Sequence, residues 1–308
     1  MFPLIILSTL VSALLTPAAM AAAQADVARI QGSTPAPTQK TTRKAPEKGA
    51  GKYDAAFADI FLTTRRVVLE GGRRTEGVTL MNASANRNTY RVVINYRDMS
   101  EEGALTERNE AKAGEKRWQD ILRYSPRQFV LETDDSQLVR ISFNPPADLP
   151  DGEYRYYINF QLLPHIPEAA PSSQEKAEGI NLQILPTYAL AIPVIYRKGR
   201  LEAKTALGEA TFQPASGETG PKLRVKLSRT GSSSTYGQVR VLFAPDSGAE
   251  QEVALQKGLA VYAENDHRWV TMTLQSPSNR AFNGGRLKVN YTPDGRKHPE
   301  SQIEIPIP

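Results

Sequence analysis

From Ile60 onward, apolar and polar residues alternate with a period of two, the spacing that places one face of a strand in a core and the other in water. Val78 and Leu80 flank Thr79. Tyr90, Val92, Ile94 and Tyr96 alternate with Arg91, Val93, Asn95 and Arg97. Further strands are predicted at 138–143, 154–162 and 182–196. Turn signals separate them: Gly71-Gly72, the polar stretch 82–88, Asp134-Asp135 and Pro150-Asp151-Gly152. The stretch 100–119 breaks the rhythm. It is charged, with helix-compatible Glu, Ala and Lys, and it is read as a long insertion between strands. A second set of strands follows Lys198-Gly199-Arg200. Leu223, Val225 and Leu227 alternate with Arg224 and Lys226, and Val239, Val241 and Phe243 follow. Val270, Met272 and Leu274 come next, then Leu287, Val289 and Tyr291, and the chain closes on Ile303, Ile305 and Ile307. Many short strands at this spacing predict an all-β protein of two β-sandwich domains, 59–198 and 199–308.

The first 58 residues follow neither pattern. An apolar run reaches Leu15, small residues dominate from Ala18 to Ala25, and no charged side chain precedes Asp26. This layout predicts a signal peptide over 1–25, with Ala19-Met20-Ala21 and Ala23-Gln24-Ala25 as candidate cleavage triplets. The alternative is an uncleaved anchor. Its apolar core is short against the roughly 20 residues that a span requires, and no stable membrane span is expected. Residues 26–58 are rich in Thr, Pro, Gly and Lys. They read as a flexible basic linker that buries too little apolar area to offset its ordering entropy.

Composition narrows the chemistry. The 308-residue chain has no cysteine, which removes disulfides, thiolate nucleophiles and thiolate metal sites. Its 38 basic and 33 acidic residues are too mixed to predict a nucleic-acid partner. The histidines, His165, His267 and His298, are scattered through turn-like sequence, and no HExxH, GxSxG, Walker or GxGxxG pattern occurs. Asp134-Asp135 and Glu101-Glu102 sit side by side in predicted loops and read as solvated turn residues. No enzyme, cofactor or metal site is expected, and a protein-binding role is.

Several segments resemble the periplasmic chaperones of pilus assembly, the PapD-like family. Thr64-Arg65-Arg66-Val67-Val68-Leu69-Glu70-Gly71 is similar to the family's first strand, where an Arg precedes a short apolar run and an acid-Gly turn. Tyr124-Ser125-Pro126 through Leu131, with Gln137-Leu138-Val139-Arg140-Ile141, resembles its middle strands. Leu149-Pro150-Asp151-Gly152-Glu153, followed by Tyr157, Asn159 and Leu163-Pro164, resembles its most recognisable signature. Ile192-Pro193-Val194-Ile195-Tyr196-Arg197 resembles the end of its long pocket-edge strand. The resemblance spans about 59–198 and is reduced in the second domain to strand rhythm and Gly284-Gly285-Arg286. It implies two immunoglobulin-like sandwiches in a boomerang arrangement, located in the periplasm.

The resemblance also implies a way of working. Such chaperones lend a strand to a pilus or fimbrial subunit whose own sandwich lacks one, and pass the subunit to an outer-membrane usher. Backbone pairing and alternate side chains do the binding. The corresponding donor face here is Ile180, Leu182, Ile184, Pro186 and Tyr188, which has strict period-two spacing. The same spacing also fits a strand facing the chain's own core. Arg66 stands where the family anchors the subunit's terminal carboxylate, a task that suits the planar guanidinium fork; a solvated strand arginine is the alternative. The family's second anchor, a Lys, is replaced by Pro193, with Lys198 nearby as a substitute. Glu153 and Arg197 match positions that bridge the two domains. A structural or adhesive envelope protein built on the same sandwiches is the competing functional reading.

Overall fold

The computed structural model describes residues 60–164, 188–275 and 282–307. The expected signal peptide (1–25) and linker (26–58), and four of the donor positions (Ile180, Leu182, Ile184 and Pro186), lie outside the described residues. The described residues all belong to one compact unit.

The first strand set comprises β1 (Ile60–Leu62), β2 (Val67–Leu69), β3 (Thr75–Asn82), β4 (Asn88–Met99), β5 (Leu105–Arg108), β6 (Leu122–Ser125), β7 (Gln128–Leu131), β8 (Ser136–Phe143), β9 (Gly152–Leu163) and β10 (Ala189–Lys198). One sheet has the order β1-β3-β8-β6. The other runs β2-β10-β9-β4-β5, with β7 also on β4. Alternation decides what lies between the sheets. Val78 and Leu80 of β3, Tyr90 and Val92 of β4, Val139 and Ile141 of β8 and Ile158 of β9 are almost fully buried in one cluster. Each such side chain stabilises the fold by about 1.5–3 kcal/mol relative to exposure.

The second set comprises β11 (Ala203–Gln213), β12 (Lys222–Gly231), β13 (Thr235–Ala244), β14 (Gln251–Val261), β15 (His267–Thr273), β16 (Arg286–Pro293) and β17 (Ser301–Pro306). It forms sheets of order β11-β12-β15 and β14-β13-β16-β17. Leu223, Val225 and Leu227 of β12 face Val239 and Val241 of β13 and Leu287, Val289 and Tyr291 of β16 in a second core. Among the described residues, no strand pairs across the junction near 199.

The insertion at 100–119 folds differently from its composition. Leu105–Arg108 pairs with the end of β4 as a hairpin, Tyr96 opposite Arg108 and Met99 opposite Leu105. The charges serve cross-strand contacts: Arg108 Nε donates to Asp98 at 2.8 Å and Arg97 Nη2 to Glu107 at 3.3 Å. Among the described residues, helix is confined to a single turn, α1 (Trp118–Ile121). Among the described residues, no helix is long and apolar enough to cross a membrane.

Candidate functional site: the cleft beside Arg66

The first strand is split between the two sheets of its sandwich. β1 pairs antiparallel with β3, while β2 runs parallel to β10, Val67 opposite Val194 and Leu69 opposite Tyr196. Residues 63–66 make the crossing. The Thr64 hydroxyl donates to the Arg66 carbonyl at 2.7 Å and accepts from the Arg66 N–H at 3.3 Å, a local turn that fixes where Arg66 points. Val67 and Leu69 enter the core, so Arg66, Val68 and Glu70 take the opposite face.

That face meets the second sandwich. Met99, Tyr157 and Ile195 from the first set pack with Ala260 and Tyr262 from the second in a third buried apolar cluster, bordered by Val68, Ala191 and Tyr236. Arg155 stacks over Tyr262 with 3.6 Å from Cζ to the ring centroid and pairs with Glu264. Asn265 Nδ2 donates to the Met99 carbonyl at 3.1 Å.

A charged network lines the same junction. Glu153 on β9 is almost fully buried and accepts from Arg197 Nε at 2.9 Å. It also accepts from the Ser234 N–H at 3.0 Å and the Ser234 hydroxyl at 2.9 Å. Arg197 on β10 uses its other nitrogens on Glu70 at 3.0 Å and on the Ser234 carbonyl at 3.1 Å. Glu153 and Arg197, expected at a bridging position, thus meet Ser234 from the turn before β13. Two carboxylates satisfy one guanidinium.

Arg66 has no such arrangement. Its Nη2 donates to Ser234 Oγ at 3.4 Å, and its Cζ lies 4.5 Å from the Tyr236 ring centroid. Its Nε is buried with no hydrogen-bond partner. Among the described residues it forms no ion pair. Burial, and then the nearby charge of Arg197, hold the Arg66 guanidinium below its ordinary range. A cleft of about 580 Å³ opens beside it, lined also by Arg65, Arg73, Tyr236 and Asp294. Arg65, on the other phase of the chain, is exposed at the rim of this cleft.

Next to Arg66 runs an incomplete sheet edge. β10 pairs with β9 along its length, from Ala189 opposite Gln161 to Lys198 opposite Gly152, but with β2 only at 194–196. Among the described residues, Ala189 to Pro193 are paired on one side only. Extending the β2–β10 register by one residue places Pro193 beside Arg66, on the face that also carries Ala191 and Ile195. A proline is tolerated at such an edge. Lys198 does not replace the missing cation: its Nζ donates to the Leu149 and Ala147 carbonyls of the loop before β9. Of the donor positions, Tyr188 is described and partly buried, just before β10. It has the same parity as Ile192, Val194 and Tyr196, which enter the first core.

Sequence reasoning missed Ser234 and Tyr236. Their partners lie far away in the chain, and neither stands in a local pattern that marks it.

No family model matches this chain, and no curated protein sequence does. Among solved structures, the chain is similar to the Pseudomonas aeruginosa CupB2 chaperone, at 14% identity over 80% of this chain and 98% of that one, with a TM-score of 0.38. It is similar to the E. coli chaperone DraB at 13% identity, covering 81% of this chain and 95% of that one, with a TM-score of 0.38. The class 5 fimbriae chaperone CfaA is similar at 11% identity, covering 81% of this chain and 99% of that one, again with a TM-score of 0.38.

Proposed function

We propose that this protein is a periplasmic chaperone that binds pilus, fimbrial or secreted coat subunits by strand addition and delivers them to an outer-membrane usher. The observation that carries this reading is Arg66, a half-buried guanidinium with an unpartnered Nε and no carboxylate of its own, facing a cleft beside a half-paired strand. A buried cation left in this condition is costly unless an anion arrives. A chain-terminal carboxylate fits, because the guanidinium fork can bind both of its oxygens. A chain anchored there by its end would run along Ala189 to Pro193, where backbone groups are available for pairing. The donor face Ile180, Leu182, Ile184, Pro186 and Tyr188 would supply side chains to the client's groove if the strand turns its face before β10, where the parity of Tyr188 leads into the chain's own core. With Pro193 in place of a lysine, Ser234 and Tyr236 are the neutral groups left to orient the carboxylate beside Arg66.

The test is capture. Tagged wild-type protein and the Arg66→Ala variant are purified from periplasm and bound proteins are identified by mass spectrometry. Small secreted subunits held by the wild type and lost by the variant are expected. No captured subunit, or equal capture by both, contradicts the reading and favours a structural or adhesive envelope protein.

A further inference from the structure

The covalent passage between the two sandwiches is short: β10 ends at Lys198 and β11 begins at Ala203. The network of Glu153, Arg197 and Ser234 lies beside it. Two bodies joined and fastened at one place can still swing about it, as hinged domains do. A contact that stops the swing has to act at a distance from the passage. The junction does extend sideways, first over β9, where Arg155 meets Tyr262, and then to β4 and β5.

β4 stands two strands from β10, about 10 Å away. Its turn into β5 is tight: the Ser100 N–H donates to the Ala104 carbonyl at 2.8 Å and the Gly103 N–H to the Ser100 carbonyl at 2.9 Å. The turn lies against β15, the outer strand of a sheet in the second sandwich. The Trp269 N–H donates to the Glu101 carbonyl at 2.7 Å. The Glu101 carboxylate lies 3.3 Å from His267 Nε2. Between these two residues of β15, Arg268 crosses to the turn. Its guanidinium rests against Gly103, where a Cβ would collide with it, and its Nη1 donates at 3.1 Å to the carbonyl of Ala260 in the junction cluster. Gly103 is required twice, for that space and for a φ of +84°.

A hairpin tip that served only its own sandwich would meet water and would need none of these contacts. We propose that the β4–β5 turn is a clasp that fixes the angle between the two sandwiches, with Arg268 as its positioning residue. The cleft beside Arg66 is lined from both sides, by Arg66 and Val68 of the first sandwich and by Tyr236 and Asp294 of the second. Its width therefore follows the angle that the clasp sets. The clasp is independent of what the cleft binds, and it gives the charged insertion a role beyond its own hairpin.

The chain has no cysteine, so a pair introduced at exposed positions, Arg140→Cys in the first sandwich and Gln302→Cys in the second, takes spin labels at those two sites alone. Double electron–electron resonance then reads the distance between the sandwiches. The otherwise unaltered protein should give one narrow distribution. Gly103→Ala, which evicts the guanidinium, and Arg268→Ala, which removes it, should each widen that distribution. Hydrogen exchange at the Trp269 amide should speed about fivefold in both, as loss of support for one backbone bond implies, while amides of β8 and β13 keep the wild-type rate. The double variant should be no worse than the more affected single one, because both act on one contact. If Gly103→Ala also speeds exchange in β8 and β13, it has disturbed the fold, and Arg268→Ala, which keeps the glycine, decides. A broad distribution before either substitution, or an unchanged distribution and Trp269 exchange after Arg268→Ala, overturns the clasp. Additive effects in the double variant overturn the role of Arg268.

Discussion

Two arginines at different places in this molecule are both largely removed from water, and their surroundings are opposite. Arg229, at the end of β12, is 7% exposed. Its Nε donates to the Asn265 carbonyl at 3.1 Å, Nη1 to those of Gly231 at 2.8 Å and Ser233 at 2.9 Å, and Nη2 to that of Ala263 at 2.9 Å. It ties the β12–β13 turn to the β14–β15 loop. Arg66 makes one long bond to a hydroxyl and leaves its Nε bare. The two side chains are chemically the same, so the difference lies in what the fold supplies. A saturated buried arginine holds loops together, and removing it leaves several carbonyls stranded. An unsaturated one is destabilising in the isolated protein and is accounted for by a ligand from outside.

This contrast can be broken by substitution. The largest expected loss of stability is from Arg229→Ala, about 3–5 kcal/mol, since four carbonyls, that of Ser233 among them buried, lose a charged donor together. Urea unfolding measures it, and a loss under about 1 kcal/mol would mean that water replaces the side chain. Asn82→Ala should follow, at about 2–4 kcal/mol by the same unfolding measurement. Asn82 is fully buried; it donates to the Asn86, Leu131 and Glu132 carbonyls and accepts from Ser84, Asn88 and Tyr90. Glu153→Gln is expected to cost about 2 kcal/mol. It removes the buried carboxylate nearest Arg197 and so brings a second arginine toward the condition of Arg66. Smallest of all is Arg66→Ala, expected to leave stability within about 0.5 kcal/mol of wild type or slightly above it, because burial and Arg197 disfavour its charge while the lost side-chain packing offsets that gain. A loss above about 2 kcal/mol would make Arg66 architectural and erase the contrast.

Much of the architecture was legible in the sequence, because alternation and burial are the same fact read at two levels. Leu223, Val225 and Leu227 were read as one face and are fully buried. The same parity reaches Arg229, so its inward direction was visible there, although hydropathy alone hides it. Asn82 read as the start of a turn because asparagine commonly marks one. Its role as a buried hub depends on carbonyls near 131, which only the folded sheets bring close. The insertion at 100–119 misled for a related reason: Glu, Ala and Lys suit a helix, but pairing of β4 with β5 overrides propensity. At the cleft, the resemblance marked Arg66, Glu153 and Arg197, and the structure brings them to one junction. Ser234, which joins all three, comes from the other sandwich, and no local spacing could have marked it.

The central claim is that Arg66 waits for a carboxylate. The direct measurement is calorimetric titration with the C-terminal segment of a captured subunit, synthesised once as the free acid and once as the amide. The free acid should bind wild-type protein roughly ten- to a hundredfold more tightly than the amide, the worth of about 1.5–3 kcal/mol for a hydrogen-bonded charged contact. That preference should vanish in Arg66→Ala. Equal affinity of acid and amide for the wild type, or a preference that survives the substitution, would contradict the account.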